Sequence, residues 1–128
     1  MKRTARIKAM KILYAMDLSN MTLEQAKDFV MEEEYDEVAV ELVEFCVANL
    51  AKIDQIINIA LTNYTLDRLN QVDKAIVRLA TSELLNKTPK QVVINEALEI
   101  TKIYSDEGDH KATSFNNRLL DTIAKRIE

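Results

Sequence analysis

A chain of 128 residues with 48% apolar and 30% charged side chains can fold around one core without a disulfide or metal staple, and is too apolar to stay disordered. One Gly and one Pro exclude the turn-rich β folds and favour helices joined by short connections. The net charge of −4 argues against nucleic acid until its distribution is read: residues 1–16 hold five basic residues and no acid, whereas residues 24–44 hold nine acids and one Lys.

Apolar spacing is helical along nearly the whole chain. Ala5, Ala9, Ile12, Leu13 and Met16 form one stripe and predict a first helix over about 4–18, ended by Ser19-Asn20. Thr22, three residues before Gln25, is a capping-box pattern and starts a second helix over about 23–33, burying Leu23, Ala26, Phe29 and Val30. After the acidic run 32–37, Val38, Leu42, Phe45, Cys46 and Asn49 predict a third over about 36–51. Asp54 can cap a fourth, which reaches about residue 63 through Ile56, Ile57, Ala60 and Leu61. Asp67 is the expected start of a fifth, with Leu69, Val72, Ile76, Leu79, Ala80 and Leu84 inward. Thr88-Pro89 reads as a cap followed by Pro at the first helical position, opening a sixth helix over about 89–103 that buries Val93, Ala97, Ile100 and Ile103. Ser105 to Asp109 is a loop with the chain's one Gly, and a last helix runs over about 110–126 with Phe115, Leu119, Leu120 and Ile123 inward. The expectation is an all-α fold, a bundle of about seven helices forming one domain over 1–128, with no repeat or linker.

Few residues offer catalytic chemistry. Cys46 lies in an apolar stretch and reads as a buried thiol; a single cysteine fits a reducing, cytoplasmic setting. His110, with Asp106, Glu107 and Asp109, lies in a loop without a second His, a poor start for a metal or acid–base site. No Gly-rich phosphate loop, nucleophile elbow or CxxC occurs, so neither an enzyme nor a cofactor is expected. The basic N-terminus is not followed by an unbroken apolar run, and no stretch approaches ~20 apolar residues, so neither a secretory signal nor a membrane span is expected. Lys125 and Arg126 complement the dipole of the last helix.

The first helix is the most informative local feature. At about 100° per residue, Arg3, Arg6, Met10 and Tyr14 fall in an arc of about 80° that flanks the core stripe, while Lys8 and Lys11 point elsewhere. Guanidinium groups bind phosphate and stack on bases, and a Tyr on the same stripe offers a surface for an unpaired base. Charge and spacing alone fit a solvated basic helix as well as an RNA-facing one. Arg68 and Arg78, with Glu83 and Glu96, fit interhelical ion pairs as well as a functional surface.

Three segments together resemble the NusB family of transcription antitermination factors. They are Arg3-x-x-Arg6-x-x-Ala9-x-x-x-Leu13-Tyr14, then Leu66 to Ala80 followed by Glu83-Leu84, and Val93-Ile94-Asn95-Glu96-Ala97-Leu98-Glu99-Ile100-Thr101-Lys102. A fourth, Phe115-Asn116-Asn117-Arg118-Leu119-Leu120-Asp121, is similar to the family's Phe-Val-Asn-Gly-Val-Leu-Asp, with Asn116 in place of an apolar residue and Arg118 in place of Gly. The loop before it is about three residues longer, and Ser82 stands where the family often has Tyr.

The resemblance implies a seven-helix, non-enzymatic protein that binds single-stranded boxA RNA in ribosomal RNA leaders. It does so with NusE, a ribosomal small-subunit protein, and the complex keeps RNA polymerase from terminating early. Carried over residue by residue, Lys2, Arg3, Arg6 and Tyr14 of the first helix and Phe115 of the last are the expected RNA contacts, with Asn117 and Arg118 beside Phe115. Asp73 and Asp109 are the expected partner-facing acids, and a homodimer stays open. One alternative is the RNA-binding domain of a ribosomal RNA cytosine methyltransferase, which shares the module but needs a Gly-rich cofactor domain and catalytic cysteines. Another is a helical protein–protein adaptor.

Overall fold

In the computed structural model, which describes residues 1–63 and 65–127, seven α-helices account for the regular structure together with one short 3-10 turn. They are α1 (Arg3–Leu18), α2 (Leu23–Val30), α3 (Glu37–Ala48), α4 (Leu50–Ala60), α5 (Gln71–Leu85), α6 (Lys90–Tyr104) and α7 (Lys111–Ile127); the 3-10 turn is Leu66–Arg68. Tyr64 and Glu128 lie outside the described residues.

The α5 helix is the axis. It packs against α1, α3, α4, α6 and α7, and eleven of its fifteen residues are buried, polar ones included. A helix covered from so many sides cannot keep a narrow apolar stripe, so its buried polar groups must find partners. Lys74 reaches Asp17 at 3.3 Å and Asp67 at 3.4 Å, and the Arg78 guanidinium is bidentate with Asp54 at 2.8 and 2.9 Å. Thr81 Oγ1 donates to the Val77 carbonyl within the helix. The acid-rich α2 and α3 pack on α1, and α6 and α7 pack on each other and on α5.

Local signals set several helix starts. Thr22 and Gln25 form the expected capping box on α2, and the Asp36 carboxylate accepts from the Val38 and Ala39 amides to start α3. Three helix starts differ from expectation. The third and fourth helices break at Asn49, whose Nδ2 donates back to the Phe45 carbonyl at 2.8 Å. Asp54 therefore lies inside α4 and serves Arg78 rather than a cap. Asp67 sits in the 3-10 turn, and Asn70 caps α5 by accepting from the Asp73 amide. Pro89 is the residue before the first helical position, Lys90, and no side chain caps α6.

Two apolar residues expected inside are outside. Phe29 is 65% exposed and Ile103 58% exposed, because α2 is only two turns long and the end of α6 has no helix over its outer face.

Candidate nucleic-acid interface

The α1 helix buries a wider face than its apolar stripe, because α2, α3 and α5 all pack against it. Arg6 and Met10 fall within that face at 4% and 3% exposure. The Arg6 guanidinium is bidentate with Glu83, Nε to Oε2 at 2.9 Å and Nη2 to Oε1 at 2.8 Å, and Glu83 is itself buried. The stripe expected to flank the core thus partly enters it, and Arg6 ties α1 to α5 instead of facing solvent. Glu83 and Glu96 do form interhelical pairs, but with Arg6 and Arg3 rather than with Arg68 and Arg78.

The open edge of α1 carries Lys2, Arg3, Lys8 and Lys11, with Tyr14 half-buried against the core. Arg3 is bidentate with Glu96 of α6 at 2.9 and 3.1 Å, and its side chain keeps 44% exposure. Hydrogen bonding to Arg3 holds the Glu96 carboxyl below its ordinary range. Lys8 approaches Glu34 and Asp36 at 3.8 and 3.9 Å. Lys11 Nζ stands 5.5 Å from the centre of the Tyr104 ring, at the end of α6.

A second basic group gathers at the start of α7. Here a concavity of about 560 Å³ opens between the 3-10 turn, the first turn of α5 and the first turns of α7. Arg68, Lys111 and Arg118 contribute exposed cations to its wall, and Phe115 a half-buried ring. His110 and Asp109 complete the rim; Asp109 is exposed and accepts from the Lys111 amide.

The loop that carries this rim is held by one carboxylate. Asp106 accepts from the Gly108, His110 and Thr113 amides and from the Thr113 hydroxyl, and these donors, the hydroxyl first, bring its pKa down to about 2. Gly108 takes φ +93° here, a conformation suited to glycine. His110 follows at φ +61°.

Asp73 is not a surface acid. It is 7% exposed, accepts from Asn70 Nδ2 at 2.8 Å and from Asn116 Nδ2 at 3.1 Å, and forms the floor of the concavity. Asn116, fully buried, also donates to Thr101 Oγ1 at 3.1 Å and so joins α5, α6 and α7 just behind Phe115. The polar residue that departs from the family's apolar one thus has a structural use. Asn117, two residues on from Phe115 and about 200° round the helix, turns away from that ring. It lines a different groove with Lys90, Asn95 and Asp121.

The expected contacts therefore form two groups. Lys2 and Arg3 precede Arg6, the partner of Glu83, on α1, whereas Phe115 and Arg118 line the concavity with Asp73; along α5, ten residues separate Asp73 from Glu83, about 15 Å. Sequence reading did not assign Lys111 or Arg68 to this surface, and it set Lys11 aside. Nothing local in the chain marks Arg68 or Lys111, because Arg68 follows Asp67 and Lys111 closely follows Asp109; only the placement of the helices gathers them. Among the described residues no group of three His, Cys, Asp or Glu side chains gathers to hold a metal. Nor is any helix there long and apolar enough to cross a membrane.

The model of the NusB family matches residues 3–125. The chain belongs to the NusB family. A transcription antitermination protein NusB of Listeria innocua is 44% identical over 125 residues, covering 96% of this chain and 95% of the relative. That of Bacillus subtilis is 37% identical over 130 residues, covering 99% and 97%. Two solved structures share the fold: T. maritima NusB, with a TM-score of 0.85 and 36% identity over 96% of this chain and 89% of that one, and a structure of the antitermination factors NusB and NusE in complex with dsRNA, with a TM-score of 0.85 and 30% identity over 97% and 96%. These relatives are transcription antitermination factors rather than enzymes, and the all-helical NusB fold expected from the sequence is the one observed.

Proposed function

We propose that this chain binds a boxA-type single-stranded RNA in ribosomal RNA leaders together with a NusE-type ribosomal protein, and so helps RNA polymerase pass early termination points in the cytoplasm. The observation that carries the reading is the concavity at the start of α7, where Phe115 stands among Arg68, Lys111 and Arg118. An aromatic ring among unburied cations suits a strand whose bases are unstacked and whose phosphates need neutralising. Lys2 and Arg3 take the same strand about 15 Å away along α5. The NusB–NusE–dsRNA structure that this chain resembles supports RNA and NusE as the ligands.

In this reading Arg118 adds a phosphate contact where the family has Gly, and Arg6 positions α1 without touching RNA. Asp109, on the exposed loop, is the partner-facing acid; Asp73 acts by holding Asn116 and the start of α5. The test is a titration of labelled boxA RNA against the chain with and without NusE, at several salt concentrations, with duplex RNA as competitor. Binding tightens with NusE and weakens with salt, and replacing a phosphate-binding cation makes the log–log slope shallower by about 0.7. Salt-independent binding, or none with NusE present, refutes the reading; preference for the duplex refutes its single-strand part.

A further inference from the structure

The two basic groups are joined by a surface that neither the family resemblance nor the reading above assigns. Helices α1 and α6 are linked by two side-chain rungs eight residues apart on both helices: Arg3 with Glu96, and Lys11 with Tyr104. The second rung lies at the last residue of α6, directly before the loop that leads to Lys111 and Phe115 on α7. Tyr104 is 40% exposed and its neighbour Ile103 58% exposed. A ring that served only the core would be covered, and Tyr104 is not.

On this surface Lys11 is a cation that no acid among the described residues takes up. Three nearby acids are engaged elsewhere: Glu96 by Arg3, Glu99 by Lys102 at 3.5 Å, and Asp106 by the amides and hydroxyl of its own loop. Glu107, on the loop, is exposed. Among the described residues Lys11 makes no ion pair, and its neighbour is the Tyr104 ring. An aromatic face beside a cation, with a carboxylate-bound Arg on one side and a basic concavity on the other, matches what a single strand needs along its path.

We infer that Tyr104 and Lys11 form an additional nucleotide subsite, in which a base of single-stranded RNA stacks on the Tyr104 ring and Lys11 neutralises the adjoining phosphate. This rests on the RNA-binding reading above. The subsite lies between Arg3 and the Phe115–Arg118 concavity and makes one continuous path of the two groups.

The experiment titrates a short labelled single-stranded boxA RNA with the full chain and with Tyr104→Phe, Tyr104→Leu, Lys11→Gln and Phe115→Ala. Tyr104→Phe keeps the ring and binds within about twofold of wild type; Tyr104→Leu binds roughly tenfold more weakly, the loss expected for one base stack. Lys11→Gln makes the log–log salt dependence shallower by about 0.7, the share of one neutralised phosphate. The chain has no Trp, so tyrosine emission is a second readout. RNA quenches it in wild type, and Tyr104→Phe removes the share of that quenching that belongs to Tyr104, leaving any from Tyr14, even if Tyr104→Leu folds poorly. Wild-type affinity in a folded Tyr104→Leu, or quenching unchanged in Tyr104→Phe, overturns the subsite. If Phe115→Ala weakens binding in that same experiment, the RNA reading stands without it. If wild type itself fails to bind, both fall.

Discussion

Removing one member of the Arg6–Glu83 pair should be among the most damaging single changes to this fold. Both side chains are nearly dry, at 5% and 3% exposure, and they share two charge-assisted hydrogen bonds of 2.8 and 2.9 Å. An exposed pair contributes about 0–1 kcal/mol. A buried charge left without its partner costs about 3–5 kcal/mol, because the ion stays desolvated with nothing to offset it. Glu83→Leu should therefore lose about 3–5 kcal/mol, a fall in Tm of about 10–20 °C for a domain of this size. The double variant Arg6→Met/Glu83→Leu removes both ions and should recover to near or above wild type. Urea unfolding followed by circular dichroism measures all of these. The double variant also separates the two readings of Arg6: it should bind boxA RNA about as well as wild type, since Arg3 and Lys2 are untouched. A loss under about 1 kcal/mol in Glu83→Leu would mean that the pair is solvated. A folded double variant with RNA affinity down by tenfold or more would make Arg6 an RNA contact and refute the argument.

Burial, the largest influence, pushes the Cys46 thiol up from 9.0 to about 11. Between those values the unfolded chain has released a proton that the folded chain keeps, so stability falls as pH rises from about 9 through 11. Denaturant midpoints across that window should show a steeper decline in wild type than in Cys46→Ala, and iodoacetamide should react slowly at neutral pH. Asp106 has the opposite sign: its depressed pKa gives stability that is complete above 3.8 and is lost as pH falls toward about 2. Asp106→Asn should accelerate hydrogen exchange at Gly108, His110 and Thr113 at neutral pH without changing exchange in α3. Lys87 ends α5 at φ +68°, where a Cβ is strained, so Lys87→Gly should raise stability by about 0.5–1 kcal/mol in thermal melting.

The register of the bundle was legible because local chemistry and periodicity agreed. Thr22 and Gln25 announced α2 through a pattern that acts within three residues, and the 3–4 spacing of Ala9, Ile12, Leu13 and Met16 identified the side of α1 that packs. Boundaries set by competing partners were less legible. Asp54 and Asp67 are both chemically able to cap a helix, yet Arg78 and Lys74 on α5 take up their carboxylates.

The functional surface followed the same division. The sequence by itself determined the helical class, the basic start and the acidic middle, because composition and spacing along one chain carry that information. It could not determine how many neighbours each helix would have. Three helices around α1 turned Arg6 from a surface cation into a buried ion-pair partner, and packing around α5 made Asp73 a floor rather than a rim. Tertiary structure alone set Arg3 beside Glu96, Lys11 over Tyr104, and Arg68 across from Phe115 and Arg118. The physical reason is that burial and pairing depend on residues far apart in the chain. A charged side chain is the same in sequence whether it meets water, RNA or a carboxylate nearly eighty residues away.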